Sequence, residues 1–570
     1  MARMVVDPIT RIEGHLRIEA QVDGGKITDA YSSVTMWRGL EKILQGRDPR
    51  DAWYFTQRIC GVCTSSHALA SVRAVEEALD ITPPLNAKLI RDIMYTTQAT
   101  HDHVVHFYHL HALDWVDVVS ALKADPREAA AIGASLSDYP GNTVQRMTAV
   151  KAKLQAFVAG GRLGPFTNGY WGHPAMKLPP AVNLLAVAHY LDALDWQREI
   201  IKVHAILGGK NPHPQSYLVG GMAVPVDLNS HAALNADAFM QLRRLIQMQI
   251  DFVQKVYIPD LVAIAGFYPE WTKIGGGLSN YMAAGDLTAE IRPTLEQKKH
   301  GRLPSGIVLN GDLSKVIDFN PDLVAEDVTH SWYKYAGTEP LHPFDGETEP
   351  NFTGPNPPYE QLDVEQKYSW LKSPRYESKP MEVGPLARMI VGYARGDAKI
   401  KKLVDDSLAA LKVDASALHS TLGRTLARGL ETEITASYGM ELLDSLIANV
   451  GSGDLRIHSG DTWDPSTWPK TAKGVGFEEA PRGMLSHWIK IQDGVIDNYQ
   501  AVVPSTWNGS PRDRDGQRGA YEASLIGTPV AVEDQPLEIL RTIHSFDPCM
   551  ACAAHVLDAD GNEVVEVKVL

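Results

Sequence analysis

Four cysteines in two CxxC pairs are the residues of this chain whose type and spacing could support chemistry. Cys60 and Cys63 lie near the start of the 570-residue sequence, and Cys549 and Cys552 lie near its end. Soft metal ions prefer thiolate ligands, and two CxxC pairs brought together would form a four-sulfur site. Because most of the chain separates the pairs, the fold must close before the site exists, which couples metal binding to folding.

Three other uses of the cysteines compete with this interpretation. A disulfide framework is typical of short secreted chains with many cysteines, which this chain is not. A thioredoxin-like redox pair would need a βαβ unit around one CxxC, and neither pair has one. A structural zinc site stays open, although the two pairs of a zinc ribbon usually lie about 15–20 residues apart.

The residues around the cysteines carry a family resemblance. They are RIEGH at 11–15, RGLE at 38–41, RICGVCTSSH at 58–67 and DPCMACAAH at 547–555. Five further stretches extend the likeness along nearly the whole chain: TMWRGLEKIL, THDHVVHFYHLHALDWVD, NGYWGHPAMKLPP, EAPRGMLSHW and NYQAVVPSTWN. Together these motifs resemble the large, catalytic subunit of [NiFe] hydrogenases, and most closely the membrane-associated, respiratory uptake branch.

The resemblance implies an enzyme that oxidises H2 heterolytically and reversibly to protons and electrons. Carried over by motif, Cys60 and Cys549 would be terminal nickel ligands. Cys63 and Cys552 would bridge nickel to an iron that also carries CO and cyanide. Thiolates suit such a soft redox centre, whereas the diatomic ligands rest on the resemblance alone.

Four charged residues resemble parts of the family's proton and substrate machinery. Glu13 would relay the proton left by H2 cleavage, as a buried carboxylate can. Arg482 would face the open side of the metals, with Asp102 and Asp547 holding its guanidinium. Three of the four have a structural alternative: Glu13 could be a solvated surface group, Arg482 could form a salt bridge or lie along the surface, and Asp547 could be a turn residue before Pro548.

Three more residues are assigned to the same site. Ser505 resembles the hydroxyl that hydrogen-bonds an iron diatomic ligand, although a turn serine would look the same. Pro481 precedes Arg482, and His67 follows the first CxxC as a supporting residue around the metal ligands. A separate metal site in the histidine-rich stretch remains an alternative, since on a helix His103 and His106 can share a face.

A second ion and a C-terminal extension are also implied. Glu41, the main-chain oxygen of Ala501 and His555 resemble the ligands of a Mg²⁺ or Fe²⁺ ion; an ion pair of Glu41 with a basic neighbour is the alternative. In this family a maturation endopeptidase removes the residues after the histidine. We therefore predict a mature subunit of residues 1–555 and an extension of residues 556–570, which could otherwise form a short hairpin.

Composition limits the partners. The hydrophobic content of 44% and the charged content of 22% are those of a soluble globular protein, and the net charge of −15 argues against a nucleic-acid partner. We find neither an apolar run of about 18 residues nor an N-terminal secretory signal. The chain alone therefore reads as cytoplasmic. The resemblance instead implies peripheral attachment on the periplasmic side of the membrane, after export with a small subunit that carries a twin-arginine signal.

Electron transfer requires another polypeptide. If all four cysteines serve one centre, none remains to hold an iron–sulfur cluster. The resemblance supplies the partner, an iron–sulfur small subunit in a heterodimer or a dimer of heterodimers, which passes electrons to a membrane acceptor subunit. The quinone-site subunit of respiratory NADH dehydrogenases is a related alternative, but it lacks the four cysteines.

The elements that must position these residues are mostly helical. Helical periodicity covers residues 85–122, 181–207, 236–267 and 398–447. Asp23-Gly24-Gly25 and Asp493-Gly494 predict two β-hairpins, and the Pro- and Gly-rich residues 338–370 suggest a surface insertion. The predicted fold is α+β and helix-dominated, with a central bundle of long helices, small peripheral sheets and the two CxxC loops meeting at one end, as the resemblance implies.

Overall fold

The computed structural model describes residues 2–161, 163–167, 169–355 and 361–553, and most of its regular structure is helical. Its α-helices are α1 Leu40–Leu44, α2 Ala52–Thr56, α3 Ser66–Ala78, α4 Leu85–Val105, α5 Pro126–Leu136, α6 Val144–Ala159, α7 Pro180–Ile200, α8 Lys202–Gly208, α9 Ala236–Phe252, α10 Ile258–Ala265, α11 Leu295–Lys298, α12 Pro385–Ala394, α13 Ala398–Leu411, α14 Thr421–Gly451, α15 Pro504–Gly509, α16 Ala520–Leu525, α17 Leu537–His544 and α18 Met550–Ala553. Among the described residues, none of these helices has the length and apolar character that a bilayer-spanning segment needs.

The strands form small antiparallel sheets. They are β1 Ala2–Val6, β2 Leu16–Asp23, β3 Lys26–Val34, β4 Tyr217–Leu218, β5 Gly221–Met222, β6 Tyr281–Ala283, β7 Gly306–Val308, β8 Val324–Asp327, β9 Tyr333–Lys334, β10 Glu349–Pro350, β11 Ser373–Tyr376, β12 Thr471–Ala480, β13 Gly483–Gln492 and β14 Val495–Val502. Two sheets have three strands, in the orders β1-β2-β3 and β12-β13-β14, and the other strands pair two by two. The predicted helix-dominated α+β fold is confirmed.

Helices α4 and α14 pack against each other at the centre of the bundle, with α7 and α9 beside them. Ser420 caps α14 by accepting a hydrogen bond from the Gly423 N–H at 2.9 Å. The helix predicted over residues 85–122 ends early, because α4 gives way to a π-helical turn, His106–His111, and then to a 3₁₀ turn. A π turn accommodates one extra residue per turn, which apolar periodicity does not reveal.

Both hairpins form as predicted, with Asp23 opposite Lys26 and Gln492 opposite Val495. The β1–β3 sheet shares a core with α16 and α17, the helices that lead to Cys549. The predicted surface insertion is wrong in its last part, because Tyr368 and Ser369 are fully buried. Their segment pairs with the core through the Trp370 N–H, which donates to the Val34 carbonyl at 2.9 Å.

Close packing of α3 on strand β12 brings two parts of the site together. Helix α3 begins just after Cys63, and β12 ends just before Arg482. Position 476 has no room for a side chain, because a Cβ on Gly476 would lie 1.9 Å from the Ala70 carbonyl oxygen. Glycine therefore lets the strand approach the helix backbone directly.

Candidate metal centre

Three of the four cysteine sulfurs meet in one buried cluster. Cys60 and Cys549 are separated by 489 positions in the sequence, yet their Sγ atoms lie 3.4 Å apart. The Sγ atom of Cys63 lies with these two, all within 4.8 Å of one another. Each of the three residues is no more than 5% exposed. Cys552 lies in α18, but its side chain is outside the described part of the structure.

The two cysteine segments are joined by backbone hydrogen bonds. Residue Glu13, between β1 and β2, forms a parallel bridge with Cys549, and its carbonyl accepts the Met550 N–H at 2.6 Å. Arg38 spans both segments from outside. Its guanidinium donates to the carbonyl of Ile59 at 2.6 Å and to that of Ala551 at 2.8 Å. The N-terminus, the first CxxC and the second CxxC therefore form one assembly.

Gly14 is needed for this assembly, and Gly14→Ala tests it. The residue has φ +80°, and a Cβ would lie 2.4 Å from the Ala551 N. We expect the variant to displace the second CxxC, to lose metal, and to lose stability by more than the roughly 1–3 kcal/mol of a left-handed alanine. Thermal unfolding and nickel per chain measure this.

Gly172→Ala is the matched control for that substitution. Gly172 also has φ +80°, but no atom of the described residues lies within 4 Å of its Cβ position. An alanine at position 172 therefore has the same unfavourable backbone conformation but no steric overlap of its Cβ with neighbouring atoms. If the two variants lose equal stability and both keep nickel, the close approach at Gly14 does not matter.

Glu13 contacts the sulfur cluster directly. Its Oε2 accepts hydrogen bonds from the Cys549 Sγ at 3.3 Å and from the Ala551 N–H at 3.0 Å. Burial raises the pKa of Glu13, and the negative charge of the Cys60 thiolate raises that pKa further. The carboxyl is therefore placed to exchange a proton with the Cys549 sulfur.

Arg482 faces the sulfurs from a tight turn. Ala480 pairs with Gly483, so Pro481 and Arg482 form the two-residue connection between β12 and β13. The guanidinium lies 3.3 Å from Asp102 and 3.1 Å from Asp547. Burial alone would lower its pKa, but the charges of Asp547 and Cys549 outweigh burial and hold the pKa of Arg482 well above its ordinary value. Arg482 is therefore a fixed cation.

A small cavity adjoins the cluster on the side of Arg482. Its lining includes Cys63, Cys549, Arg482, Pro481, Ser505 and His67. The Ser505 Oγ accepts the Cys549 N–H at 3.1 Å, and the same hydroxyl can donate its proton, with the Tyr521 hydroxyl as a neighbouring partner. The remaining walls are mostly apolar side chains, which excludes water and strengthens any electrostatic contact inside.

His67 begins a chain of buried side chains behind this cavity. Its Nδ1 lies 3.0 Å from the His487 Nε2, and the His487 Nδ1 lies 2.6 Å from the Tyr499 hydroxyl. Burial lowers the pKa of His67 to about 4. The His67 imidazole is therefore neutral, and its contact with His487 fixes its orientation.

Two of the three residues predicted to bind a second ion, Glu41 and Ala501, lie in the described part of the structure, and Ala501 packs against the cluster that contains the cysteines. Glu41 is on α1, and its Oε1 accepts the Ala501 N–H at 2.9 Å, with the Thr348 hydroxyl on Oε2. The structure therefore brings Glu41 and Ala501 together. His555 and residues 556–570 lie outside the described residues.

The histidine-rich stretch forms a hydrogen-bond network. Asp114 Oδ2 lies 3.3 Å from His111 Nδ1 and 2.6 Å from His544 Nδ1. The Trp115 indole donates to His111 Nε2 at 3.1 Å, so the proton of a neutral His111 is on Nδ1, facing Asp114. Arg11 also pairs with Asp114. The network ties α17, which precedes Cys549, to the turns that follow α4.

Comparison with known proteins identifies the family. A family model described as nickel-dependent hydrogenase matches residues 38–555, and one described as HoxL-like matches residues 3–36. The chain belongs to the nickel-dependent hydrogenase family. It is 54% identical to the uptake hydrogenase large subunit of Bradyrhizobium diazoefficiens and 49% identical to the hydrogenase-1 large chain of Escherichia coli K12, in each case over 100% of this chain and 97% of the relative.

Solved hydrogenase structures share the fold. The reduced Ni-Fe-Se hydrogenase of Desulfovibrio vulgaris Hildenborough gives a TM-score of 0.76 at 31% identity, covering 97% of this chain and 100% of that one. The H2-activated [NiFeSe] hydrogenase of Desulfomicrobium baculatum gives 0.74 at 32% identity, with the same coverage. The resemblance inferred from the motifs is confirmed, and it disfavours the structural zinc alternative.

The donor set fits a nickel-iron centre. Three buried thiols converge from two CxxC loops, in a cluster otherwise made of apolar side chains such as Ile59 and Leu485. Soft sulfur donors in an apolar site bind nickel and iron better than they bind hard cations such as Mg²⁺. The cation Arg482 beside them offsets the negative charge that several thiolates would concentrate there.

Sequence reasoning missed two buried residues that support the site. Arg388 donates to the carbonyls of Ala480 and Pro481 and pairs with Glu431 and Glu479, which fixes the turn that carries Arg482. No motif indicates it, since it is far away in the sequence. Gln98 contacts Asp102, and its spacing of four residues on one helix was an available signal.

Proposed function

We propose that this chain is the catalytic large subunit of a nickel-iron uptake hydrogenase, which catalyses H2 → 2H⁺ + 2e⁻. The observation that carries the proposal is the cluster of the Cys60, Cys63 and Cys549 sulfurs, formed from opposite ends of the chain. Family membership over residues 38–555 supports the same reaction.

We propose that Cys60 and Cys549 hold nickel and that Cys63 and Cys552 bridge it to iron. When bound, this centre would supply the two-electron redox chemistry that splits H2. The cavity beside Ser505 and Pro481 supports placement of the iron's CO and cyanide ligands there, because a hydroxyl proton and a dry apolar wall suit small polar diatomics.

The chain's own residues would handle charge and protons. Arg482, held by Asp102 and Asp547, places a permanent positive charge over the cavity, where it favours heterolytic polarisation of H2. A proton on the Cys549 sulfur would pass to Glu13 Oε2, 3.3 Å away, and then outward. His67, neutral and oriented by His487, supports the cavity wall without adding charge.

Electrons would leave through a partner. The whole sequence contains only four cysteines, so a centre using all of them leaves none for a cluster. An iron–sulfur small subunit, in a heterodimer or a dimer of heterodimers, would accept the electrons and pass them to a membrane acceptor. We propose that the assembly is attached peripherally on the periplasmic side of the membrane.

We also propose a second ion and a maturation step. Glu41, the Ala501 carbonyl and His555 would bind Mg²⁺ or Fe²⁺; the adjacency of Glu41 and Ala501 supports this. An endopeptidase would cleave after His555, leaving residues 1–555 as one mature unit and releasing residues 556–570.

Metal analysis tests the proposal first. Protein purified from its native source, with any co-purifying subunit, should contain about one nickel per large subunit with iron in excess. A zinc determination on the same sample is the control, since a four-cysteine structural site would take one zinc and no nickel. That zinc result would overturn the hydrogenase assignment.

A further inference from the structure

Gln98 is a fully buried amide on α4, one helical turn before Asp102. Its Nε2 donates to Asp102 Oδ1 at 2.6 Å and to the Val62 carbonyl at 3.0 Å. Both partners can only accept, so the nitrogen of the amide must face them and both of its protons are used. Its Oε1 faces the Ser65 hydroxyl at 3.5 Å.

One of these hydrogen bonds acts on the metal-binding loop. The Val62 carbonyl belongs to the peptide unit whose N–H is that of Cys63. That N–H donates to the Cys60 Sγ at 3.2 Å. Since a trans peptide is planar and its O and H point in opposite directions, holding the oxygen also aims the N–H at the sulfur. Gln98 therefore orients a donor that stabilises negative charge on Cys60.

The other hydrogen bond acts on Arg482. Asp102 uses Oδ1 for Gln98 and for His101 Nδ1, at 3.1 Å, and uses Oδ2 for the Arg482 guanidinium. Fixing Oδ1 sets the rotation of the carboxylate and hence the direction in which Oδ2 holds Arg482. One side chain thus links the cation over the cavity to the loop between Cys60 and Cys63.

We propose that Gln98 is a positioning residue for H2 oxidation. It fixes the orientation of Arg482 and of the hydrogen bond from the Cys63 N–H to the Cys60 sulfur. The inference rests on the proposed function. It assigns Gln98 no contact with substrate or metal; its effect passes through Asp102 and through the Val62–Cys63 peptide.

The test is Gln98→Met in the intact enzyme, which keeps side-chain length and removes both donors. We expect kcat for H2 oxidation to fall about 10- to 100-fold, as is typical when a residue that orients metal ligands is lost. Nickel content should stay unchanged, and the nickel EPR spectrum should shift, because the hydrogen bond to the Cys60 sulfur has changed. Full activity with an unaltered spectrum would refute the proposal.

Gln249→Met is the matched control. Gln249 is an equally buried glutamine whose Nε2 donates to the Thr97 hydroxyl at 3.3 Å, outside the sulfur cluster. A general effect of losing a buried amide would appear in both variants as reduced thermal stability. Only the Gln98 variant should change the nickel spectrum.

A double-mutant cycle with Asp102→Asn separates positioning from independent damage. If Gln98 acts on Arg482 through Asp102, adding Gln98→Met to Asp102→Asn should reduce kcat by less than it does alone. Fully additive losses would show that Gln98 does not act through Asp102. The proposed function fails by a different result, since the unmutated enzyme would then contain no nickel and oxidise no H2.

Discussion

Replacing Cys549 by serine should remove nickel from the protein and abolish H2 oxidation. Cys549 is the residue where the sulfur cluster, Glu13 and Ser505 meet, through its sulfur and its backbone N–H. A hydroxyl is harder and much less acidic than a thiol, so it does not replace a thiolate on nickel. We expect activity to fall by at least about 10⁴-fold, as when a central catalytic group is removed.

The fold should survive this substitution. Serine has nearly the volume of cysteine, and the backbone bonds from Met550 and Ala551 to Glu13 do not use the sulfur. Nickel per chain, H2-dependent dye reduction and thermal unfolding measure the three effects separately. Ser545→Ala is the control, because it removes a buried side-chain oxygen four residues earlier, outside the cluster. A serine variant that keeps one nickel and full activity would exclude Cys549 as a ligand.

The two hairpins were predictable because local chemistry determines them. Asp-Gly sequences favour the tight turns between Asp23 and Lys26 and between Gln492 and Val495, and alternating apolar residues fix the strand register. The long helices were predictable for the same reason, since burial of one face leaves a periodic pattern. The π turn at His106–His111 was not, because apolar periodicity does not reveal one extra residue in a turn; in the structure His106 Nε2 lies 2.6 Å from the His544 carbonyl oxygen of α17.

The site itself could be predicted only through the family motifs. Cys60 and Cys549 are 489 residues apart, and no local pattern indicates that they meet. The motifs also named Glu13, Arg482 and Asp102, which lie close to the sulfurs or to one another. Their roles remain predictions.

The residues that hold the motif residues in place were harder to find. Arg388 reaches the Arg482 turn from α12, and a buried arginine with two glutamate partners looks in sequence like any charged helix residue. Burial of Tyr368 was missed because a Pro- and Gly-rich composition indicates irregular backbone, not exposure. An irregular segment can be buried when its backbone hydrogen-bonding groups find partners, and here the Trp370 N–H finds the Val34 carbonyl.

Glu13→Gln should stop catalysis while leaving the metal site assembled. The amide oxygen can still accept the Ala551 N–H, and the backbone bonds of residue 13 to the Cys549 segment do not depend on the side chain. What the amide cannot do is take a proton from Cys549 and release it. We therefore expect H2 oxidation to fall about 10²- to 10⁴-fold, the range for loss of a positioned acid–base group.

Metal content and two further variants decide how that loss is interpreted. Nickel per chain should equal that of the unmutated enzyme, which separates a proton-transfer defect from a binding defect. Glu13→Asp keeps an ionisable carboxyl on a side chain one methylene shorter, which places it farther from the sulfur. Its activity should therefore lie between that of the unmutated enzyme and that of Glu13→Gln. Glu522→Gln changes another buried glutamate, one that accepts from the Ser32 N–H and the Tyr368 hydroxyl, and should leave turnover nearly unchanged. Normal turnover in Glu13→Gln would mean that the proton leaves Cys549 by another route, with Arg482 as the next group to test.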